Sequence, residues 1–269
     1  MVEDIQDQLI SPRRVAGLSA LVGDYDLILC DVWGVLHNGT TRPGPFVMTM
    51  LDGLGVPRTA YDGIVTSGDV TRAMLATHAG SRVYHLGPAR DLGTFDGLGL
   101  IMTGQDDAQI VVCTGLLDDT VETPEDYVAR LTAMRERDLT FICANPDIVV
   151  ERGDQLIYCA GAIAKVYEEM GGKTVYCGKP HLPIYQEALA QATALRPGLA
   201  AARVLCIGDA LRTDILGATA AGLDSLFLAG GIHAEELGAE GGSEPSERAL
   251  AELFAGHAHP RGVMPRLAW

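Results

Sequence analysis

Ile207 to Asp214 reads Ile-Gly-Asp-Ala-Leu-Arg-Thr-Asp and follows the apolar run Val204-Leu205-Cys206. An apolar strand that ends in Gly-Asp and turns into a second Asp is how a parallel sheet offers oxygen ligands to a divalent cation at its carboxyl edge. A second segment, Leu27-Ile28-Leu29-Cys30-Asp31, also ends an apolar run in a carboxylate. Together the two segments predict an α/β chain with a parallel sheet and a metal-assisted phosphate site along one edge. Trp33, two residues past Asp31, brings a side chain without a titratable group into that edge.

The order of elements supports this reading. Ser11-Pro12 predicts an N-cap and first residue for a helix running to about Leu21, followed by a buried strand Leu27 to Cys30. Gly63-Ile64-Val65 reads as a second strand, ending in Thr66-Ser67-Gly68-Asp69 and leading into a helix from Val70 to His78. Arg82 to Leu86 is a further strand, after which the glycine-rich stretch 87–104 places a hinge near residue 87. The chain then shows a pattern of its own: strand Ile110 to Cys113, helix Pro124 to Arg137, strand Thr140 to Cys143, helix Ala162 to Met170. After Tyr176 the first pattern resumes, with helix Pro183 to Leu195, strand Val204 to Ile207, helix Asp214 to Ala221, strand Ser225 to Leu228 and a last helix Glu247 to Phe254. Alternating strands and helices argue for a Rossmann-like parallel-sheet core, residues 1–86 and 176–269, interrupted by a smaller α/β domain over 87–175.

Composition limits what such a site can serve. A length of 269 residues with 48% hydrophobic side chains is ample for a sizeable core. A formal charge of -15 disfavours nucleic acid and anionic membranes as partners, because a footprint on phosphates needs clustered Lys and Arg. A small phosphorylated metabolite remains compatible if positive charge is local. Lysine occurs only at Lys165, Lys173 and Lys179, so each is worth locating. The six cysteines lie mostly in apolar runs without CxxC or Cys/His spacing and read as reduced core residues. The acidic start Met1 to Asp7 is no secretion signal, and no apolar stretch reaches the roughly 18 residues of a membrane helix. The expectation is a cytoplasmic protein; a homo-oligomer is neither required nor excluded.

Four separated segments converge on the sheet edge in this reading: Asp31, Thr66-Ser67, Lys179, and Asp209 with Asp214. In this order they resemble the haloacid dehalogenase superfamily of aspartyl-phosphate-forming hydrolases, most closely class IIA, the NagD-like sugar phosphatases, whose C2-type cap is inserted between the second and third motifs. The resemblance rests on Cys177-Gly178-Lys179-Pro180-His181-Leu182-Pro183 and on Ile207 to Asp214 continuing through Ile215-Leu216-Gly217-Ala218. In the cap, Cys143-Ala144-Asn145-Pro146-Asp147 resembles the class's Asn-x-Asp segment.

The resemblance implies that Asp31 is the nucleophile, forming a covalent acyl phosphate. It implies Mg²⁺ as cofactor, held by Asp31, the backbone carbonyl of Trp33, Asp209 and Asp214. Thr66, Ser67 and Lys179 would bind phosphoryl oxygens, and Lys179 would balance developing charge. Asn145, Asp147 and His37 are candidates for substrate choice. An Asn-Pro-Asp turn also has a purely structural explanation.

Trp33 is the departure. Phosphatases of this superfamily carry at that position a second Asp, which protonates the leaving oxygen and activates the hydrolytic water. Its loss is worth about 10²–10⁴-fold in rate. One reading is a working phosphatase whose proton transfer falls to another group, with His37 or Asp69 as candidates. A second is an impaired relative that binds Mg²⁺ and a phosphorylated ligand. A third is carbon-halogen or carbon-phosphorus cleavage. Asp209 and Asp214 argue against the metal-free dehalogenases, and Lys165 and Lys173, the lysines a Schiff base would need, read as surface residues.

Overall fold

A computed structural model describes residues 11–32, 44–152 and 155–269. Its strands are β1 (Leu27–Cys30), β2 (Arg82–Leu86), β3 (Ile101–Met102), β4 (Ile110–Cys113), β5 (Thr140–Cys143), β6 (Val149–Arg152), β7 (Gln155–Tyr158), β8 (Lys173–Tyr176), β9 (Val204–Gly208), β10 (Asp224–Leu228) and β11 (Gly262–Met264). Its α-helices are α1 (Gly44–Gly53), α2 (Ser67–Ala76), α3 (Val128–Glu136), α4 (Ala160–Glu169), α5 (Leu182–Leu195), α6 (Leu216–Ala220), α7 (Ala234–Leu237) and α8 (Glu247–Leu253). The chain forms two compact units, Met1–Thr40 with Ala188–Trp269, and Thr41–Glu187.

The first unit is a parallel sheet in the order β1-β9-β10-β11. β9 is buried at every position, so its apolar run carries no alternation, as expected of a strand covered on both faces. One face packs Leu205, Ile207, Leu226 and Leu228 against Val15, Leu18 and Leu21. The other packs Phe227 and Val263 with Leu211, Ile215, Leu250 and Phe254. β1 is an edge strand, and Ile28 and Cys30 are exposed. Cys30 is therefore not a core thiol, whereas the other five cysteines are buried.

The second unit holds the parallel sheet β3-β2-β4-β5-β8 and the antiparallel hairpin β6-β7. Period-two alternation assigns side chains to its two faces. Val111, Cys113, Phe141 and Cys143 pack against Leu131 and Met134 of α3 and Ile163 and Tyr167 of α4. Ile110, Val112 and Ile142 meet Val70 and Leu75 of α2 with Val83 and Cys177. β2 and α2, expected with the first stretch of the core, thus pack within this sheet.

Three expectations fail for identifiable reasons. No helix runs from Ser11 to Leu21; short 3₁₀ turns at Leu18–Ala20 and Val22–Asp24 replace it. The chain before them is drawn out as a bridge to β11, with Val15 N–H donating to Val263 O at 3.0 Å and Val263 N–H to Arg13 O at 2.8 Å. Gly63 to Val65 forms no strand and runs as irregular backbone into the cap of α2. Asp214 opens no α-helix: a wider π-type turn spans Leu211–Ile215, with Ile215 N–H reaching Ala210 O at 3.3 Å. Such turns recur at functional sites. Among the described residues, no helix is long and apolar enough to cross a membrane.

Candidate active site

In the first unit, β1 and β9 run parallel with Cys30 opposite Ile207, so the residues that follow each strand emerge at the same carboxyl edge. Asp31 continues the ladder through its N–H to Ile207 O at 2.8 Å, and its Oδ1 accepts Val32 N–H at 2.8 Å. Asp209 Oδ2 accepts Ile232 N–H at 2.8 Å, and Asp214 Oδ2 accepts Ala210 N–H at 3.0 Å. Each carboxylate is thus oriented by a backbone amide. Asp209 and Asp214 are both buried to 4% exposure.

Ligand oxygens of Asp31, Asp209 and Asp214 lie within 4.8 Å of one another. Three anionic oxygens that close, two of them removed from water, repel strongly unless a cation sits between them. All-oxygen, carboxylate-rich donors suit Mg²⁺ or Ca²⁺ rather than a soft metal. The donor set therefore fits a hard divalent cation.

Two glycines make this packing possible. A Cβ on Gly208 would overlap the Asp214 carboxylate, and one on Gly231 would overlap that of Asp209. Sequence reasoning named the acids and missed this support. The Gly230-Gly231 pair, one residue past the end of β10, was the available signal. His233 covers the same turn, with Nε2 accepting Leu211 N–H at 3.4 Å and Nδ1 at 2.9 Å from Glu236 Oε2. Trp33 and His37 lie outside the described residues.

In the second unit, Thr66 caps α2 through a capping box. Its Oγ1 accepts Asp69 N–H at 3.1 Å and donates to Asp69 Oδ2 at 2.7 Å, while Thr66 N–H donates to the same oxygen at 3.0 Å. Gly44 N–H, opening α1, also donates to the Asp69 carboxylate at 3.2 Å. The Asp69 carboxylate, a candidate for proton transfer from the sequence, is thus held as an acceptor at the start of α2. Ser67 beside it is 7% exposed, and its Oγ has no hydrogen-bond partner among the described residues.

Lys179 follows Gly178, where an added Cβ would stand 2.7 Å from Pro146 Cδ and 3.3 Å from Ser67 Cβ. The Asn145-Pro146-Asp147 segment, Ser67 and the Gly178-Lys179 loop thus meet within this unit. Asn145 Oδ1 accepts Asp147 N–H at 3.2 Å, an Asx turn. Asp147 keeps exposed surface, yet burial of its carboxyl raises its pKa and the charge of Lys179 pulls it the other way. His181 stacks on Tyr176 with centroids 4.2 Å apart, and burial lowers its pKa against the opposing pull of Glu168.

Other charged candidates are engaged elsewhere. Arg72, on α2, donates to the carbonyls of Gly93, Thr94 and Asp96. Lys165 pairs with Glu169 at 3.9 Å and Lys173 with Asp138 at 2.7 Å, both on the exposed surface. That placement offers neither lysine the desolvated surroundings in which Schiff-base lysines work.

Comparison with known proteins agrees with these features. A family model described as HAD-hydrolase-like matches residues 176–253. A haloacid dehalogenase-like family hydrolase from Brucella suis 1330 is 42% identical over 95% of this chain and 99% of its own, with a TM-score of 0.75. A p-nitrophenyl phosphatase from Archaeoglobus fulgidus, 21% identical over 90% of this chain and 96% of its own, shares the fold with a TM-score of 0.68. A glycerol phosphate phosphatase from Mycobacterium tuberculosis, in complex with calcium, is 23% identical over 86% of this chain and 77% of its own, with a TM-score of 0.60. No curated protein matches the sequence.

Proposed function

The chain belongs to the haloacid dehalogenase-like hydrolases of class IIA, and from that footing we propose that it is a Mg²⁺-dependent phosphatase of small phosphorylated metabolites, of the sugar phosphate or nucleotide class. The observation that carries the proposal is the meeting of Asp31, Asp209 and Asp214 within 4.8 Å at the ends of two adjacent parallel strands. The phosphatase names of structural neighbours from Archaeoglobus fulgidus and Mycobacterium tuberculosis, the latter solved with calcium and with magnesium, support the same direction.

In this reading Asp31 attacks the phosphorus and forms an aspartyl phosphate, expelling the alcohol, and water then cleaves the acyl phosphate to regenerate the carboxylate. Asp31, Asp209 and Asp214 would hold the cation together with the Trp33 carbonyl; when bound, it offsets phosphoryl charge and orients the ester. The Thr66-Ser67 segment and Lys179 bind phosphoryl oxygens, and Lys179 stabilises the charge that spreads over them in the transition state. Asn145, Asp147 and His37 are proposed to contact the leaving group. Residues 87–175 would act as a cap, and the protein is proposed to work in the cytoplasm.

Trp33 favours one competing reading, a relative that binds the metal and a phosphorylated ligand with little turnover. Phosphate release from sugar phosphates, nucleotides and aryl phosphates, measured in Mg²⁺ and in EDTA, separates the two. The phosphatase reading expects metal-dependent release that vanishes in Asp31→Asn. Ligand and Mg²⁺ binding with no release from any ester would establish the binder.

A further inference from the structure

We infer that His233 is a positioning residue for the metal site: its ring holds the head of the turn that carries Asp214, while the same loop holds Asp209. The inference rests on the proposed metal site and concerns the first unit alone. Leu211 opens the π-type turn Leu211–Ile215, where an amide finds no acceptor inside the turn itself. Leu211 N–H donates to His233 Nε2 at 3.4 Å. A backbone amide can only donate, so Nε2 must offer its lone pair, and the proton of the neutral ring sits on Nδ1. Nδ1 lies 2.9 Å from Glu236 Oε2, an acceptor for that proton. The imidazole is thus gripped at both nitrogens, and Glu236 selects the tautomer that Leu211 needs.

The neighbouring contacts carry this hold to the carboxylates. Ala210 N–H, the donor just before the turn, goes to Asp214 Oδ2 at 3.0 Å. With Leu211 N–H engaged by the ring, that second amide does not compete with the cation for Asp214. Beside His233, Ile232 N–H donates to Asp209 Oδ2 at 2.8 Å, and the Asp209 carboxylate packs on Gly231. Residues 231–233 therefore serve both buried ligands, one through an amide and one through an imidazole. The loop is anchored on both sides. Before it, Ala229 N–H and Gly230 N–H donate to Met264 O and Pro265 O, each at 2.8 Å; after it, Leu237 N–H donates to His233 O at 3.0 Å. The ring also lies 5.9 Å from that of Phe227, centroid to centroid, and Phe227 packs with Leu211 in the core. Outer partners that orient metal ligands are commonly worth about 10–100-fold in metal affinity.

The test is calorimetric titration of the full chain with Mg²⁺ alone, together with melting temperatures and the nitrogen NMR spectrum of the His233 ring. His233→Phe keeps a ring against Phe227 but has no acceptor, and it should bind Mg²⁺ about tenfold more weakly than the wild type. His233→Gln, whose amide oxygen can accept Leu211 N–H, should restore most of that loss. A role in packing alone would give the reverse order, with His233→Phe tolerated and His233→Gln impaired. In the wild type, at a pH where the ring is neutral, the spectrum should show the proton on Nδ1 and none on Nε2. The tautomer is read on the wild type, so it decides even where a variant does not fold. The inference is overturned if the neutral ring carries its proton on Nε2, if His233→Phe binds Mg²⁺ as the wild type does, or if His233→Gln binds no better than His233→Phe. The expected Mg²⁺ pattern without turnover of any ester would sink the phosphatase reading and leave this assignment standing. A wild type that binds no Mg²⁺ would overturn the metal site and the part of His233 in it.

Discussion

Replacing Asp209 by Asn should separate the cost of the acidic triad from its use. The ligand oxygens of Asp31, Asp209 and Asp214 lie within 4.8 Å of one another. At an effective dielectric near 20, two unit charges at that distance repel by about 3 kcal/mol. Asn at position 209 removes two of the three pairs, about 6–7 kcal/mol before any relaxation. Water around the unloaded site and relaxation of the side chains reduce the surviving penalty to about 2 kcal/mol. The Asn carbonyl can still accept Ile232 N–H, so that bond is preserved. In EDTA, Asp209→Asn should therefore melt about 4–8 °C above the wild type. Mg²⁺ at a hundredfold excess over its Kd should stabilise the wild type by about 2.7 kcal/mol and the variant hardly at all. Differential scanning calorimetry with and without Mg²⁺ reads both effects. A variant that melts lower in EDTA and keeps its Mg²⁺ response would refute the argument that these carboxylates repel one another until a cation joins them.

Gly208→Ala should cost about 1–3 kcal/mol, because the new methyl overlaps the Asp214 carboxylate; urea denaturation and Mg²⁺ titration should show stability and metal affinity falling together. Burial holds the pKa of His85 below its ordinary 6.5, with Asp91 opposing, and its Nε2 lies 2.8 Å from Thr114 Oγ1. The neutral ring is the folded form, so this contribution is fully present above the ordinary value and is lost as pH falls through the lower folded one. Urea midpoints across that window should show a weaker acid dependence in His85→Gln than in wild type, and equal slopes would remove the histidine from the account. Trp33→Asp should raise phosphate release by about 10²–10⁴-fold if the missing proton carrier is the main deficit; an unchanged rate would mean that another group already does its work.

What could be read from sequence follows from which forces are local. β1, β4 and β5 have the bounds expected of them, since each is a short, mostly apolar run that the sheet pairs over its length, and β2 has them too, with Val83 and Leu86 as its buried positions. The supposed N-terminal helix failed because Arg13 to Val15 pairs with Val263, almost 250 residues away, and no local pattern announces that partner. The β6-β7 hairpin was legible and overlooked: Val149-Val150-Glu151-Arg152 and Gln155-Leu156-Ile157-Tyr158 flank Gly153-Asp154, an ordinary turn pair. At the site, Asp31, Asp209 and Asp214 were visible as carboxylates after strands. The role of Asp69 was visible too, as the last residue of a Thr-x-x-Asp capping box. The hold of Ile232 N–H on Asp209 was not, because it depends on how the loop after β10 folds back.

The most direct measurement is acid quench of the protein during turnover of an aryl phosphate in Mg²⁺, followed by mass spectrometry of the peptide containing Asp31. Attack by Asp31 leaves a phosphoryl group on that carboxylate, and with Trp33 in place of a base its hydrolysis should be slow enough for the label to accumulate. The account predicts a phosphorylated Asp31 peptide that is absent in EDTA and in Asp31→Asn. Metal-dependent release of phosphate with Asp31 unlabelled, and undiminished in Asp31→Asn, would contradict it.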